Sequence, residues 1–136
     1  MLFSASAGKI EIMPTIQDVP LHSVPVVEPE AVLSDVIALM QGHPLRTVAL
    51  VGDEQYMGIF NEDALTDSAL IPDDADRSLL VVGPYVHPAR VIAHTTSDVG
   101  EILAAMHRRG LVVAPVVDNR TFIGVVTRAD LEKALG

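Results

Sequence analysis

The sequence predicts an α/β (α+β) fold made of two tandem copies of one strand–helix–strand–strand–helix unit. First, the chain repeats itself: shifted by 66 positions, it keeps one apolar pattern without a gap from residue 24 to residue 131. Second, each half contains apolar residues at i, i+3, i+4 and i+7, the buried stripe of an amphipathic helix. Third, each half contains two apolar runs joined by a short polar turn, which is typical of a β-hairpin.

The two helical stripes align residue by residue: Leu33, Val36, Ile37 and Met40 correspond to Val99, Ile102, Leu103 and Met106. Ahead of the second stripe, Ser97 or Asp98 can accept hydrogen bonds from the first helical turn, and Glu101 lies in capping-box reach of Asp98. After it, the basic run 107–109 complements the negative end of the helix dipole, and Gly110 favours a left-handed stop.

The strand pattern is clearest in the second half. It contains a short β-prone run over residues 90–94 and a buried strand over residues 111–117. A polar turn over residues 118–120 then joins this strand to a partner strand over residues 121–126. A last helix is expected over residues 128–135. The first half repeats the hairpin with strands over 47–51 and 56–60.

Composition divides the chain into four segments: an N-terminal extension (1–15), a first repeat (16–68), an acidic linker (69–78) and a second repeat (79–136). The linker combines a proline with several aspartates, which is typical of a solvated connection. Each repeat alone is near the size at which a hydrophobic core becomes marginal. We therefore expect the two repeats to pack face to face.

The charge and hydropathy exclude several partner classes. The formal net charge is −9, and Lys and Arg together number only 9. Because a nucleic-acid backbone is neutralised by a basic stripe, which the sequence lacks, we expect no nucleic-acid partner. No run approaches the roughly 18–20 apolar residues of a membrane span, so we expect a cytoplasmic protein without membrane contact. An apolar content of 49 % favours self-association, and we expect a homodimer.

Catalytic and metal-binding motifs are missing from the sequence. The chain has no cysteine, which excludes disulfides, thiolate metal sites and cysteine nucleophiles. Its five histidines include no i, i+4 pair on one helix, and no HExxH, phosphate-loop or nucleophile-elbow motif occurs. We therefore expect no enzyme activity, no catalytic cofactor and no metal site.

The second half carries a specific family signature. Residues 112–118 read Val-Val-Ala-Pro-Val-Val-Asp, and residues 122–131 read Phe-Ile-Gly-Val-Val-Thr-Arg-Ala-Asp-Leu. This resembles the end of a CBS repeat, in which an apolar strand ending Pro-Val-Val-Asp is followed by Gly-apolar-apolar-Thr/Ser-x-x-Asp/Asn-Leu. Residues 16–19 resemble the segment that leads into such a repeat. The resemblance covers nearly all of residues 16–135, and the first repeat matches mainly through its apolar pattern.

The resemblance implies a pair of CBS repeats, or Bateman module, related by pseudo-twofold symmetry with two clefts between the sheets. Such modules commonly pair into flat dimers. Their clefts often hold AMP, ADP, ATP or S-adenosylmethionine, and occupancy regulates an attached or partner protein. In the matching motif, the Thr contacts phosphate or ribose and the Asp binds the ribose hydroxyls.

The family pattern, carried over to this sequence, assigns Thr127, Asp130, Val91, Ile92, Ala114 and Pro115 to a ligand, and the chemistry and position of Arg128 and His94 add these two as candidates. Thr127 would open a helix, where N–H groups and the dipole favour a phosphate that Arg128 can also reach. Asp130 is acceptor-only when ionised, so its partner is the sugar and not a phosphate. The apolar pairs 91–92 and 114–115 would sandwich an adenine ring. His94 is a candidate phosphate contact or equally a surface residue.

The assignment of a ligand to this motif has one structural alternative, and the proposed function has another. Thr127 and Asp130 also form most of a capping box, which begins a helix without any ligand. In the first repeat, Asn61 replaces the Thr and Ala64 replaces the Asp, so we expect one competent adenosine site per chain. The favoured function is a regulatory module that binds an adenosine derivative in the second repeat and acts in trans on an unknown protein partner. The alternative is a ligand-free dimerisation or scaffold module.

Overall fold

A computed structural model describes residues 13–62, 76–86 and 90–136. Its helices and strands are, in chain order, β1 (Val26–Val27), α1 (Leu33–Gln41), β2 (Thr47–Gly52), β3 (Gln55–Asn61), α2 (Val99–Arg109), β4 (Val113–Asp118), β5 (Thr121–Thr127) and α3 (Arg128–Leu135). The expected mixed architecture of two similar halves is confirmed. Most of the predicted N-terminal extension and acidic linker, together with Ala64, lie outside the described residues. No helix in the described ranges has both the length and the apolar composition of a bilayer span.

Each half contributes one small sheet. In the first half, β1 runs parallel to β2, and β2 pairs antiparallel with β3. In the second half, β4 pairs antiparallel with β5. In each hairpin the two turn residues lie in the left-handed region. In the first hairpin these are Asp53 and Glu54, with φ of 52° and 64°, and in the second they are Asn119 and Arg120, with φ of 49° and 67°. This is the conformation of a type I′ turn, whose twist suits a tight hairpin.

The strand predicted over residues 90–94 is reduced to one bridge between Ala93 and Val116. Ala93 N–H donates to the Pro115 carbonyl at 2.9 Å, and Val117 N–H donates to the Ala93 carbonyl at 2.8 Å. A longer parallel ladder would need the next donor along β4, and Pro115 has no N–H. Its equivalent in the first repeat is Ala49, which does donate, so β1 persists as a strand there.

Each sheet is covered by its own helix over a hydrophobic core. The first core lies between α1 and β2–β3, and the second lies between α2, α3 and β4–β5. All four residues of the predicted stripe on α1 are buried. On α2, Val99, Leu103 and Met106 are buried, and Ile102 packs at the edge of the second core.

The segment ahead of each repeat packs into the core of the other repeat. We call residues 14–19 the first lead-in and residues 80–86 the second lead-in. Ile16 and Val19 of the first lead-in belong to the second core, and Val82 of the second lead-in belongs to the first core. The sequence resemblance marked residues 16–19 as the lead-in to a repeat, but it did not indicate that a lead-in is buried against the opposite repeat.

Backbone hydrogen bonds fix this exchange in the same way on both sides. The Leu33 N–H, at the start of α1, donates to the Leu80 carbonyl at 2.8 Å. The Val99 N–H, at the start of α2, donates to the Pro14 carbonyl at 3.0 Å. The two bonds are equivalent under the 66-residue offset. The exchange is therefore a symmetric feature of the fold.

The two sheets also meet directly. Val24, Ala49 and Val125 form a small buried cluster between them. The rings of the equivalent residues Tyr56 and Phe122 stack with centroids 6.1 Å apart and planes at 17°. These contacts bring the two hairpins side by side, as the pseudo-twofold arrangement requires.

The exchange predicts where a lead-in mutation acts. Ile16→Ala removes a fully buried side chain from the second core, so we expect a loss of about 2–5 kcal/mol in the free energy of unfolding. Hydrogen exchange should accelerate first in α2 and β4, far along the chain from the mutation. Met13→Ala is the control, because the Met13 side chain is 57 % exposed. Faster exchange confined to α1 would contradict the exchanged packing.

A second prediction concerns the end of α2. Gly110 has φ of 66° and its N–H reaches the His107 carbonyl, which is the predicted left-handed stop. Added atoms would meet open space, so only backbone strain opposes a side chain. We expect Gly110→Ala to destabilise the fold by about 1–2 kcal/mol, and Gly110→Asn by less, because Asn tolerates this conformation. Urea unfolding measures both, and an Ala variant as stable as the wild type would contradict the assignment.

Candidate functional site

A cavity of about 690 Å³ lies between the two repeats. Its walls are the segments 44–47 and 110–113, which are equivalent in the two repeats, and the ends of β3 and β5 with the start of α3. It therefore sits on the pseudo-twofold axis. Of the eight residues assigned to a ligand, Thr127 and Arg128 line this cavity.

Thr127 is the N-cap of α3. Its backbone is extended, and its hydroxyl oxygen accepts a hydrogen bond from the Asp130 N–H at 3.2 Å. The next amide is also used, because Arg128 N–H donates to the Val112 carbonyl at 2.9 Å. The helix start thus offers a phosphate fewer free amides than the sequence suggested.

Asp130 does not complete a capping box with Thr127. Its Oδ2 lies 2.6 Å from Nε2 of His22, which belongs to the chain just after the first lead-in. The same Thr-x-x-Asp pattern occurs at Thr15–Asp18, where the Thr15 N–H does donate to Asp18 Oδ2 at 3.0 Å. The two copies of the pattern therefore differ. The Asp18 carboxylate caps its own helix, whereas the Asp130 carboxylate bonds to a residue outside its helix.

The hydrogen bond from His22 holds the pKa of the Asp130 carboxyl below its usual range, with smaller contributions from Thr127 and the charge of Lys133. An ionised carboxylate only accepts hydrogen bonds, so His22 Nε2 carries the proton in this contact. The Asp130 side chain remains 27 % exposed and the His22 side chain 41 % exposed. The carboxylate is accessible from solvent.

Each side of the cavity is lined by one basic and one acidic side chain, Arg46 and Glu62 on the first-repeat side and Arg128 and Glu132 on the second, but the two sides differ in how these charges are paired. On the first-repeat side, Arg46 Nε donates to Glu62 Oε1 at 2.8 Å, and a second guanidinium nitrogen contacts the same oxygen. Glu62 occupies the position equivalent to Arg128. Within the described part of the chain, no ion pair involves Arg128. The second-repeat side therefore offers a cation, while the first-repeat side offers a closed ion pair.

The four residues expected to sandwich an adenine ring do not share one surface. Val91 and Ala114 are buried in the second core. Ile92 and Pro115 alternate with them and so point to the opposite face of the sheet. Val113, on the same face as Pro115, lines the cavity. Of these four residues, Pro115 is buried in β4 and Ile92 is 39 % exposed, and neither lines the cavity.

His94 makes hydrogen bonds within the second repeat. Its Nδ1 bonds to the Val117 carbonyl, and its backbone N–H donates to Ser97 Oγ at 3.0 Å. It does not line the cavity between the repeats.

His22 is the site residue that sequence reasoning missed. It lies 108 positions from Asp130 in the chain, and the repeat aligns it with a proline, so neither spacing nor periodicity marks it. The exchange of the lead-ins is what brings it to the second repeat. No signal in the sequence short of that three-dimensional exchange indicates the contact.

Solved structures of similar fold include three of clear likeness. One is the CBS domain of a bacterial CNNM/CorC family Mg2+ transporter in complex with ATP, with a TM-score of 0.67 and 22 % identity over 90 % of this chain and 87 % of that one. Another is CBSX2 in complex with AMP, with a TM-score of 0.71 and 18 % identity over 90 % and 96 %. The third is a CBS-domain containing protein from Agrobacterium tumefaciens, with a TM-score of 0.72 and 18 % identity over the whole of both chains.

No curated protein sequence matches the chain. The family model of the CBS domain matches it twice, over residues 16–70 and 82–136, the same two units that the internal repeat marks. These matches cover most of the chain, which therefore belongs to the CBS domain family and carries the domain as a tandem pair.

Proposed function

We propose that this CBS pair is a regulatory module that binds an adenosine derivative, such as AMP, ADP, ATP or S-adenosylmethionine, on the second-repeat side of its central cavity. The observation that carries the proposal is the set of groups at the start of α3. Thr127 and Arg128 line the cavity, where they supply a hydroxyl and a guanidinium that takes part in no ion pair within the described residues. Asp130 does not line the cavity, but it lies one turn into the same helix and presents its carboxylate outside that helix.

The cavity has a suitable size. Its volume of about 690 Å³ falls within the roughly 300–1,000 Å³ of ordinary small-molecule sites. Two similar solved structures contain ATP and AMP, which supports an adenine nucleotide as the ligand class. Ile92, which is 39 % exposed, would contact the base.

The polar groups suit the two ends of a nucleotide. The Arg128 guanidinium can pair with phosphate oxygens, and the Thr127 hydroxyl can donate to the same group. The Asp130 carboxylate would accept hydrogen bonds from the ribose hydroxyls. A charge-assisted bond contributes about 1.5–3 kcal/mol, and the partial exposure of Asp130 favours the lower end of that range.

The first-repeat side is less suited to an anion. Glu62 places a negative charge where Arg128 lies in the second repeat, and it is paired with Arg46. Asn61 stands in place of the threonine, while Ala64 lies outside the described residues. We therefore propose one competent site per chain.

Regulation would proceed by population shift. The cavity is walled by both repeats, so a ligand that contacts both favours one arrangement of the repeats by its differential affinity. We propose that the module is a cytoplasmic homodimer that passes this arrangement to a partner protein in trans. It needs no catalytic cofactor for this role and performs no reaction.

The structure also contains an observation that favours the alternative of a ligand-free scaffold. Two amides at the start of α3 already have acceptors, and Asp130 already has His22 as a partner. A module with no ligand would be held together by such internal contacts alone.

A binding experiment separates the two functions. A ligand at a hundred times its dissociation constant stabilises the fold by about 2.7 kcal/mol, so AMP, ADP, ATP or S-adenosylmethionine should raise the melting temperature by several degrees. Asp130→Asn should weaken binding about tenfold or more, because the amide loses the charge. Asp35→Asn is the matched control, since Asp35 is an exposed acid at the same position of α1.

The outcomes are distinct. No shift from any ligand in the wild type would favour the scaffold. An equal shift in the Asp130→Asn variant would place the site elsewhere in the chain. Arg128→Ala should weaken ATP more than adenosine, and equal losses for both would remove Arg128 from the phosphate contact.

A further inference from the structure

We propose that the His22 imidazole hydrogen-bonds to the Asp130 carboxylate when no nucleotide is bound. A sugar hydroxyl can then bind this carboxylate oxygen only by displacing the imidazole. The inference rests on the proposed function and adds a competing residue to it. Its basis is the 2.6 Å contact between His22 Nε2 and Asp130 Oδ2, which connects the chain ahead of β1 to the last helix of the other repeat.

His22 is held beside the site by its backbone. Its N–H donates to the Val125 carbonyl and its carbonyl accepts from the Val125 N–H, both at 2.9 Å. The adjoining Gly124 permits this approach, because a Cβ there would lie 3.0 Å from the His22 carbonyl oxygen. Upstream and downstream, Val19 and Val24 are buried. The imidazole can therefore turn away from Asp130 without moving the chain that carries it.

The contact lies where a ligand can reach it. Both side chains are partly exposed, unlike the apolar residues on either side of His22 in the chain. The other groups acting on Asp130 are the Thr127 hydroxyl and the charge of Lys133, one turn further along α3. None of these occupies Oδ2 as His22 does. When no nucleotide is bound, the His22 imidazole donates to the carboxylate oxygen that a ribose hydroxyl would need as its acceptor.

An internal competitor lowers the apparent affinity by the fraction of molecules in which the acceptor is already occupied. A ribose with adjacent hydroxyls can replace the lost hydrogen bond and make a second one. A deoxyribose offers only one hydroxyl, so the contact also penalises deoxynucleotides.

The test uses the full-length chain and calorimetry with AMP and 2′-deoxy-AMP. His22→Ala should bind AMP about threefold to tenfold more tightly than the wild type. This gain in affinity lies between the contribution of an exposed ion pair and that of a charge-assisted hydrogen bond. His22→Gln retains a donor and should stay close to the wild type. His107→Ala is the matched control, because it breaks another histidine–acid contact, His107 to Glu132 at 3.4 Å.

A melting curve on each variant shows whether it folds, and if the Ala variant does not fold, a second measurement on the wild type keeps the proposal testable. For that case the wild-type His22 ring is followed by nitrogen NMR, and its resonance should shift when AMP saturates the site. An unmoved ring, or a folded Ala variant that binds AMP equally or more weakly, would overturn the competition while leaving the ligand site intact. Failure of every variant, including the wild type, to bind AMP or any related nucleotide would overturn the proposed function as well.

Discussion

The whole arrangement depends on the exchange of apolar lead-ins between the two repeats. Ile16 and Val19 complete the second core, while Val82 completes the first. A unit of this size buries too little surface to be stable with a core that lacks these residues. The exchange removes that deficit for both units at once, and it fixes their relative position with equivalent backbone hydrogen bonds. The central cavity is a consequence, because its walls come from two units that are held in one orientation.

The two sides of the cavity are chemically different although the exchange is symmetric, because equivalent positions carry different polar residues. Starting from a near-duplicate pattern, the chain places Arg128 on one side and the Arg46–Glu62 pair on the other. It also brings His22 to Asp130 across 108 positions of sequence. A module with symmetric architecture thus has one side with groups suited to a nucleotide. Divergence after duplication has acted on the polar residues and has left the apolar framework in register.

Much of the fold could be predicted from the sequence because it depends on local chemistry and period. The two helical stripes, the hairpins and the Gly110 stop each follow from residues close together in the chain. Pro115 could also have limited the strand over 90–94, since a residue without an N–H cannot extend a ladder. The family resemblance marks residues 16–19 as a lead-in but does not say against which half they pack. For that reason the exchange, the burial of Val91 and Ala114, and the His22 contact needed the structure.

The exchange also has a consequence for how the chain is made. The first repeat is synthesised before the residues around Val82, so its core is complete only once the second lead-in has also left the ribosome. The earliest segment, around Ile16, must wait for strands that are synthesised about a hundred residues later. Contacts so distant in sequence slow folding, because the loop entropy is lost before the contacts form. Both units should therefore mature together, after translation has nearly ended.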